Sequence, residues 1–258
     1  MINLNIKASI KARYTNYLLN HFNKTKWSKN IQQLHNMYDG QRCFIIGNGP
    51  SLAVSDLEKL NNEFSFAFNR IYYIFDKTNW RPTFYCTQDV KIATQSENEI
   101  NDNISTEYLF APISFKWYEN INIKSKYYFN AKYSGFEIPE FSNDISLSIG
   151  CGNTVTCTAI QIAIYLGFKE IFLLGIDHNF QKYQDEHGNI IVDPSAKDYF
   201  CEEYNKNNSS TYIPRLDLST ACYIKAKQFA DMNKVNIYNA TRGGKLEVFP
   251  RVDFDSLF

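Results

Sequence analysis

Apolar positions along this chain come in short runs that stop at glycines or polar residues. Cys43-Phe-Ile-Ile46 runs straight into Gly47-Asn-Gly-Pro-Ser51. A run closed in this way predicts a buried strand ending in a tight turn. Ser51 is then placed to cap a helix beginning near Leu52, with Asp56 and Glu58 in or near its first turns. Alternation through Phe64, Phe66 and Phe68 predicts a second strand ending at Asn69-Arg70, and Thr83 to Thr87 a third, closing on Gln88-Asp89. Tyr108 to Pro112 and Lys126 to Asn130 read as two more strands. The rest of 95–148 is polar and reads as connecting helices or an inserted lid.

A second block is equally regular. Gly150-Cys-Gly-Asn-Thr154 opens a helix over Val155 to Leu166 that Gly167 stops. A strand then leads from Lys169 through Gly175 to Asp177 and His178. Residues 181–213 are polar, with Gly188, Pro194 and a run of asparagine and serine, and predict a long loop of the kind that closes over substrates. Residues 218–233 read as a last helix and Val235 to Tyr238 as a short strand. Asn239 to Gly244 is a third polar glycine turn.

Strands alternating with helices imply an α/β, Rossmann-like, doubly wound and mainly parallel sheet. Ligands of such sheets bind at the carboxyl ends of the strands. A strand, a glycine turn and a helix N-terminus present backbone N–H groups to phosphate. Gly47 to Ser51 fits that arrangement, and fits an ordinary strand-to-helix turn equally well. Gly152, Asn153 and Thr154 form a second such terminus, and two in one sheet point to a ligand carrying phosphate.

Residues 1–38 carry Lys7, Lys11, Arg13, Lys24, Lys26 and Lys29 and no acidic residue. Ile10, Tyr14, Tyr17, Leu18 and Phe22, then Trp27, Ile31, Leu34 and Met37, recur at helical spacing, interrupted over Asn23 to Lys26. The segment reads as a helical appendage packed on the core, or as a peripheral contact with an anionic membrane surface. The expected division is 1–38 and a catalytic domain over 39–258, with a lid at about 181–213.

The 258 residues carry zero net charge, so no overall field draws the chain to nucleic acid. Six cysteines form no CxxC pair, and several lie in apolar runs, which predicts buried free thiols rather than disulfides or zinc ligands. No stretch approaches the roughly 20 apolar residues of a spanning helix, and no signal-peptide core follows the first residue. A cytoplasmic protein is expected, with the inner face of the plasma membrane as a possible station.

Transfer chemistry needs a base and a group that stabilises a leaving phosphate. Of four histidines, His21 and His35 fall in the N-terminal segment, His178 follows a strand into the expected site, and His187 lies in the lid. His178 is the preferred base, with Asp177, Asp89 and His187 as alternatives. Asp89 sits at a strand end, where it can orient an acceptor hydroxyl or simply cap the next helix. Arg70, Arg242, Lys182 and Tyr183 are candidate phosphate ligands, Arg242 foremost. Asp253-Phe-Asp255 is formally a DxD at the far end of the chain. No lysine follows the first turn as a P-loop requires, and no metal site or cofactor is expected.

Gly47-Asn-Gly-Pro-Ser-Leu52, Asn69 and Leu166-Gly-Phe-Lys-Glu-Ile-Phe-Leu-Leu-Gly-Ile-Asp177 resemble the bacterial sialyltransferases of glycosyltransferase family 42. They also resemble the broader family called domain of unknown function 115, described as 6-hydroxymethylpterin pyrophosphokinase-like. Asn239-Ala-Thr-Arg-Gly-Gly-Lys-Leu-Glu-Val-Phe-Pro250 is closer to the latter. The resemblance covers roughly residues 40–245. It implies a Rossmann-like fold of the GT-A variant type, a cytidine monophosphate sugar as donor, no metal, and inversion at the anomeric carbon. By position it implies that Asn48, Gly49, Ser51 and Asn69 contact the donor. Asn153, Thr154, Val155 and Thr156 would hold cytidine and ribose, and residues after Gly175-Ile-Asp, here Asn179 and further on Tyr183, would meet phosphate. The sialyltransferases carry their catalytic histidine where this chain has Leu216 to Thr220, a stretch without histidine.

The expected function is therefore glycosyl transfer from a nucleotide-sugar donor to a glycan or glycolipid acceptor in bacterial surface glycan synthesis, by a chain expected to form homo-oligomers. One alternative is diphosphate transfer from ATP to a pterin alcohol, with Mg²⁺ held by Asp89 and Asp177. The other is a non-catalytic nucleotide-binding module.

Overall fold

The computed structural model describes residues 13–135, 137–205 and 212–258. Its strands are β1 (Arg42–Ile46), β2 (Ser65–Phe68), β3 (Phe84–Cys86), β4 (Tyr108–Pro112), β5 (Tyr127–Phe129), β6 (Ala131–Tyr133), β7 (Ile149–Cys151), β8 (Glu170–Leu174), β9 (Lys182–Gln184), β10 (Ile190–Val192) and β11 (Asn236–Asn239). The α-helices are α1 (Lys26–Gln32), α2 (Val54–Lys59), α3 (Val90–Asn103), α4 (Val155–Tyr165) and α5 (Leu216–Met232).

Seven strands make the main sheet in the order β11-β8-β1-β2-β3-β4-β5. Every neighbouring pair is parallel. This is the Rossmann-like α/β architecture expected. The chain starts in the middle at β1, steps outward to β5, then returns to the other side of β1 as β8. The connections after β1 and β8 therefore leave in opposite directions, and that switch point is where such sheets open a crevice.

Both faces of the sheet are covered, which explains why its strands read as unbroken apolar runs. Cys43, Ile45, Ile171 and Leu173 pack on one side with Cys157, Ile160 and Ala163 of α4 and Cys222 and Ala226 of α5. Phe44, Ile46, Phe172 and Leu174 pack on the other with Leu57, Ile100 and Phe254. Every residue from Thr156 to Ala163 is buried, so α4 is sheathed all round. Removing a large side chain from either layer costs about 3–5 kcal/mol.

The described part of the N-terminal segment is sewn onto this body. Its interruption has a local cause: Phe22–Lys24 form a 3₁₀ turn, and Thr25 restarts the helix by accepting a hydrogen bond from the Ser28 N–H at 3.2 Å. Ile31 and Leu34 enter the core. The N–H groups of Asn36, Tyr38 and Gly40 donate to the carbonyls of Tyr165, Leu166 and Gly167. Lys7, Ile10 and Lys11 lie outside the described residues, as do 206–211 of the expected lid. No described helix is long and apolar enough to cross a membrane. All six cysteines are free, and all but Cys201 are buried.

Two expectations change. The helix after the first glycine turn starts only at Val54, behind Ala53, which makes no side-chain cap. The described part of 181–213 is no simple loop: β9 and β10 form an antiparallel hairpin, and a strap follows it.

Candidate functional site

The first glycine turn is closed by its neighbour across the switch point. Gly47 N–H donates to Leu174 O at 2.8 Å and Gly49 N–H to Gly175 O at 2.9 Å. Ser51 donates through Oγ to Asp177 Oδ2 at 2.8 Å and through its N–H to the same oxygen at 3.4 Å. A Cβ on Gly49 would stand 1.9 Å from Asp177 Oδ2, so only glycine admits this approach. The expected free N–H cradle is corrected here, as is the expected Ser51 cap. The donors of Gly47, Gly49 and Ser51 are committed inside the protein. Asp177, an expected catalytic alternative, sits beneath this turn, and its backbone carbonyl accepts the Lys245 N–H at 2.7 Å. Burial raises its carboxyl pKa, and the Ser51 bonds pull it partly back.

Asn48 is the member of the turn that reaches toward other strand ends. Its Nδ2 donates to Phe68 O at 3.1 Å and to Tyr204 Oη at 3.3 Å. Its buried Oδ1 has no partner, an acceptor that such burial normally does not leave empty. Asn69, at the end of β2, adopts a left-handed φ of 50°, and its carbonyl accepts from Tyr85 Oη at 2.6 Å. The strap crosses here: Phe200 N–H donates to Asn48 O at 3.0 Å, and the rings of Tyr199 and Tyr204 stack 3.8 Å apart. Burial pushes the Tyr199 phenol up to about 12.

Arg70, expected to meet the ligand, serves this strap. Its Nε donates to Ser96 Oγ, Nη1 to Tyr204 O and Nη2 to Gln95 Oε1, at 2.8–3.0 Å. Tyr199 and Tyr204 were missed in the sequence. The available signal was a set of aromatics inside an otherwise polar stretch, which need partners to be ordered.

The second glycine turn joins from the side. Gln88, at the end of β3, donates from Nε2 to Gly152 O at 3.0 Å and accepts from Thr158. Thr154 caps α4, accepting from Thr156 N–H at 3.3 Å, and its hydroxyl lies 3.4 Å from Tyr223 Oη of α5. Asn153 is exposed and Val155 half-buried.

His178 faces Tyr223 edge to face, ring centroids 5.4 Å apart. Its Nε2 lies 2.8 Å from Thr220 Oγ1, whose own proton is directed to Leu216 O at 2.8 Å. The hydroxyl therefore accepts from Nε2–H, which leaves Nδ1 as the basic nitrogen. Thr220 lies in the first turns of α5, so His178 meets that helix from the end of another element. Its φ of 51° is left-handed for a residue with a side chain, a strain concentrated at functional positions. Burial holds its pKa down at about 4, so the ring is neutral at pH 7.

The remaining candidates lie elsewhere. Asp89 caps α3, accepting from Ile92 N–H at 3.0 Å. Arg242, expected on phosphate, is corrected: it pairs with Asp56 at 2.9 Å and Asp255 at 2.9 Å and so clamps the C-terminal segment. That pairing, together with Lys59 on Asp255 and Asp253 capping the last turn, accounts for the DxD. His187, a catalytic alternative, is corrected too: it stands on the exposed hairpin tip beside Glu186. Lys182 and Tyr183 lie on β9, paired with Val192 and Ile191. Asn179 follows His178, half-buried. Among the described residues no group of three or more His, Cys, Asp or Glu is placed to hold a metal ion.

Comparison with known proteins agrees with this architecture. A glycosyltransferase, MAf from Magnetospirillum magneticum AMB-1, shares the fold with a TM-score of 0.53 and 16% identity over 90% of this chain. This chain spans only 39% of that one. The sialyltransferase CstII from Campylobacter jejuni, solved with the substrate analogue CMP-3FNeuAc, aligns over 82% of this chain and 86% of its own. Its identity is 18% and its TM-score 0.46. No curated protein matches. The family model for MptE-like proteins, described as 6-hydroxymethylpterin diphosphokinase MptE-like, matches residues 15–183, and the chain belongs to that family.

Proposed function

We propose that the chain is a glycosyltransferase, inverting, metal-independent and dependent on a cytidine monophosphate sugar, that works in bacterial surface glycan synthesis. The observation that carries this reading is His178. It is a neutral imidazole at the sheet's binding edge, its tautomer set by Thr220, within one ring contact of the α4 N-terminus. In this reading Asn48, Asn69, Asn153 and Thr154 hold the nucleotide, and the N-terminus of α4 faces the phosphate. The acceptor hydroxyl gives its proton to Nδ1 of His178 as its oxygen bonds to the anomeric carbon. The bond from that carbon to cytidine monophosphate breaks, and the electron pair leaves on the phosphate. The fold shared with a glycosyltransferase and the motif resemblance support the same reading.

The family's description favours a second reading, diphosphate transfer from ATP. That chemistry needs Mg²⁺ held by carboxylates beside the phosphates. Asp89 and Asp177 are its candidates, and they fit poorly. One caps α3 and the other is 8% exposed beneath the Ser51 turn.

Thermal shift separates the readings, because a ligand of the folded state at 100 times its Kd adds about 2.7 kcal/mol. Cytidine monophosphate is expected to raise the melting temperature. Stabilisation by ATP with Mg²⁺ alone would overturn the proposal. His178→Ala is expected to abolish turnover of the sugar nucleotide while keeping nucleotide binding; binding without turnover in the unaltered chain would leave a nucleotide-binding module. Arg13, Lys24, Lys26 and Lys29 are the proposed contact with anionic membranes, checked by liposome sedimentation.

A further inference from the structure

A cleft of about 570 Å³ opens beside His178, between α5 and residues 245–248. That volume lies within the roughly 300–1,000 Å³ of small-molecule sites. Thr220, Ile224, Lys227 and Asp231 recur at four-, three- and four-residue steps, so one stripe of α5 forms the wall. The lining changes character along that stripe. At the inner end Thr220 holds the imidazole. Next comes Ile224, 47% exposed, an apolar side chain open to solvent, with Val248 also lining the cleft. At the outer end Lys227 and Asp231 make no ion pair among the described residues, although i,i+4 neighbours of opposite charge commonly do.

Such a sequence of groups suits one class of small molecule. A sugar ring has an apolar C–H face and a rim of hydroxyls that both donate and accept. Ile224 and Val248 can cover the face, Lys227 can donate to the rim and Asp231 can accept from it. A flat pterin would instead want an aromatic platform, and among the described residues His178 is the only ring in the lining. Resting on the glycosyltransferase reading above, we propose that this cleft is the acceptor subsite. It takes a neutral sugar ring whose reactive hydroxyl points at His178, with its C–H face on Ile224 and its outer hydroxyls at Lys227 and Asp231.

The test uses saturation-transfer NMR on the full chain with methyl glycosides of galactose, glucose and N-acetylglucosamine as probes. At least one is expected to bind, and Ile224→Trp, which fills the cleft from an exposed position, is expected to weaken it at least tenfold. Lys227→Ala carries the same expectation in case the larger side chain disturbs folding. Stabilisation by cytidine monophosphate is expected to be equal in both variants and the unaltered chain. If no glycoside binds, or binding survives both substitutions, the subsite is overturned even where cytidine monophosphate still stabilises the protein. If the glycoside binds and is lost on substitution while cytidine monophosphate never stabilises, the subsite stands and the donor reading fails.

Discussion

The two glycine turns, Gly47 to Ser51 and Gly150 to Thr154, are written in almost the same sequence grammar and do different things. The first lies at the switch point, flanked by β8, and the carbonyls of Leu174 and Gly175 and the carboxylate of Asp177 take up its N–H groups. The second begins within β7 and runs on from its end, and β7 pairs only with β6 outside the main sheet. There Gln88 holds the Gly152 carbonyl and Thr154 caps one N–H, while Asn153 is left exposed. A glycine motif is thus a statement about backbone approach. Whether it meets a ligand or another strand end depends on what the fold places beside it.

The largest expected effect tests that difference directly. Gly49→Ala puts a methyl 1.9 Å from Asp177 Oδ2, a carboxylate buried and held by Ser51, and 2.7 Å from the backbone Gly175 O. A loss of about 3 kcal/mol or more in urea denaturation is expected. Gly152→Ala meets ring carbons of Pro139 at 2.8 Å, and a smaller loss of about 1–2 kcal/mol is expected, with weaker nucleotide binding. Equal losses at the two positions would erase the distinction between a turn held by its neighbouring strand end and one left open.

Much of this organisation was legible in the chain, and the failures share a cause. Strand runs such as Cys43 to Ile46 were readable because burial on both faces leaves them uniformly apolar. The polar strand ends at Asn48, Asn69 and His178 were readable because polar groups directly after buried runs must find partners. What sequence order concealed was which partner. Ser51 could cap a helix or reach Asp177, 126 positions away, and Arg242 could hold phosphate or Asp56. Tyr204 and Thr220 entered the site through long-range contacts that no local periodicity encodes.

A second test concerns the acid side of stability. Burial lowers His178 from 6.5 to about 4. The unfolded chain therefore binds a proton in that window and the folded one does not. Stability is full above about pH 6.5 and falls as the pH drops toward 4, by up to about 3 kcal/mol. His178→Gln is expected to flatten that part of the curve in denaturation measured between pH 4.5 and 7.5. In kcat/KM, which reports the free enzyme, the acid limb is expected near pH 4 rather than 6.5. A midpoint at 6.5 in either experiment would mean the imidazole is not buried as described.

Smaller effects divide the two turns by kind. Ser51→Ala removes a bond to the buried Asp177 carboxylate and is expected to cost about 1–3 kcal/mol, with little change in nucleotide affinity. Thr154→Ala removes a helix cap for about 1 kcal/mol and is expected to weaken cytidine monophosphate binding at the terminus it caps. If nucleotide affinity follows Ser51 and not Thr154, the first turn holds the nucleotide through more than Asn48 and the α4 terminus does not.

The smallest expected effect is the most discriminating about the base. His187 is the other histidine of residues 39–258, and the sequence left it as an alternative to His178. The structure separates them by environment: His178 is enclosed by Thr220 and Tyr223, whereas the His187 side chain is 75% exposed beside Glu186. An exposed ring on a hairpin tip has no fixed geometry toward a reacting hydroxyl, and proton transfer requires hydrogen-bond reach. His187→Ala is therefore expected to move stability by less than about 0.5 kcal/mol and to leave kcat and its pH profile unchanged, while His178→Ala removes turnover. A loss of kcat in His187→Ala with nucleotide binding intact would require the hairpin to fold over the sheet edge during the reaction, and the base would then be His187.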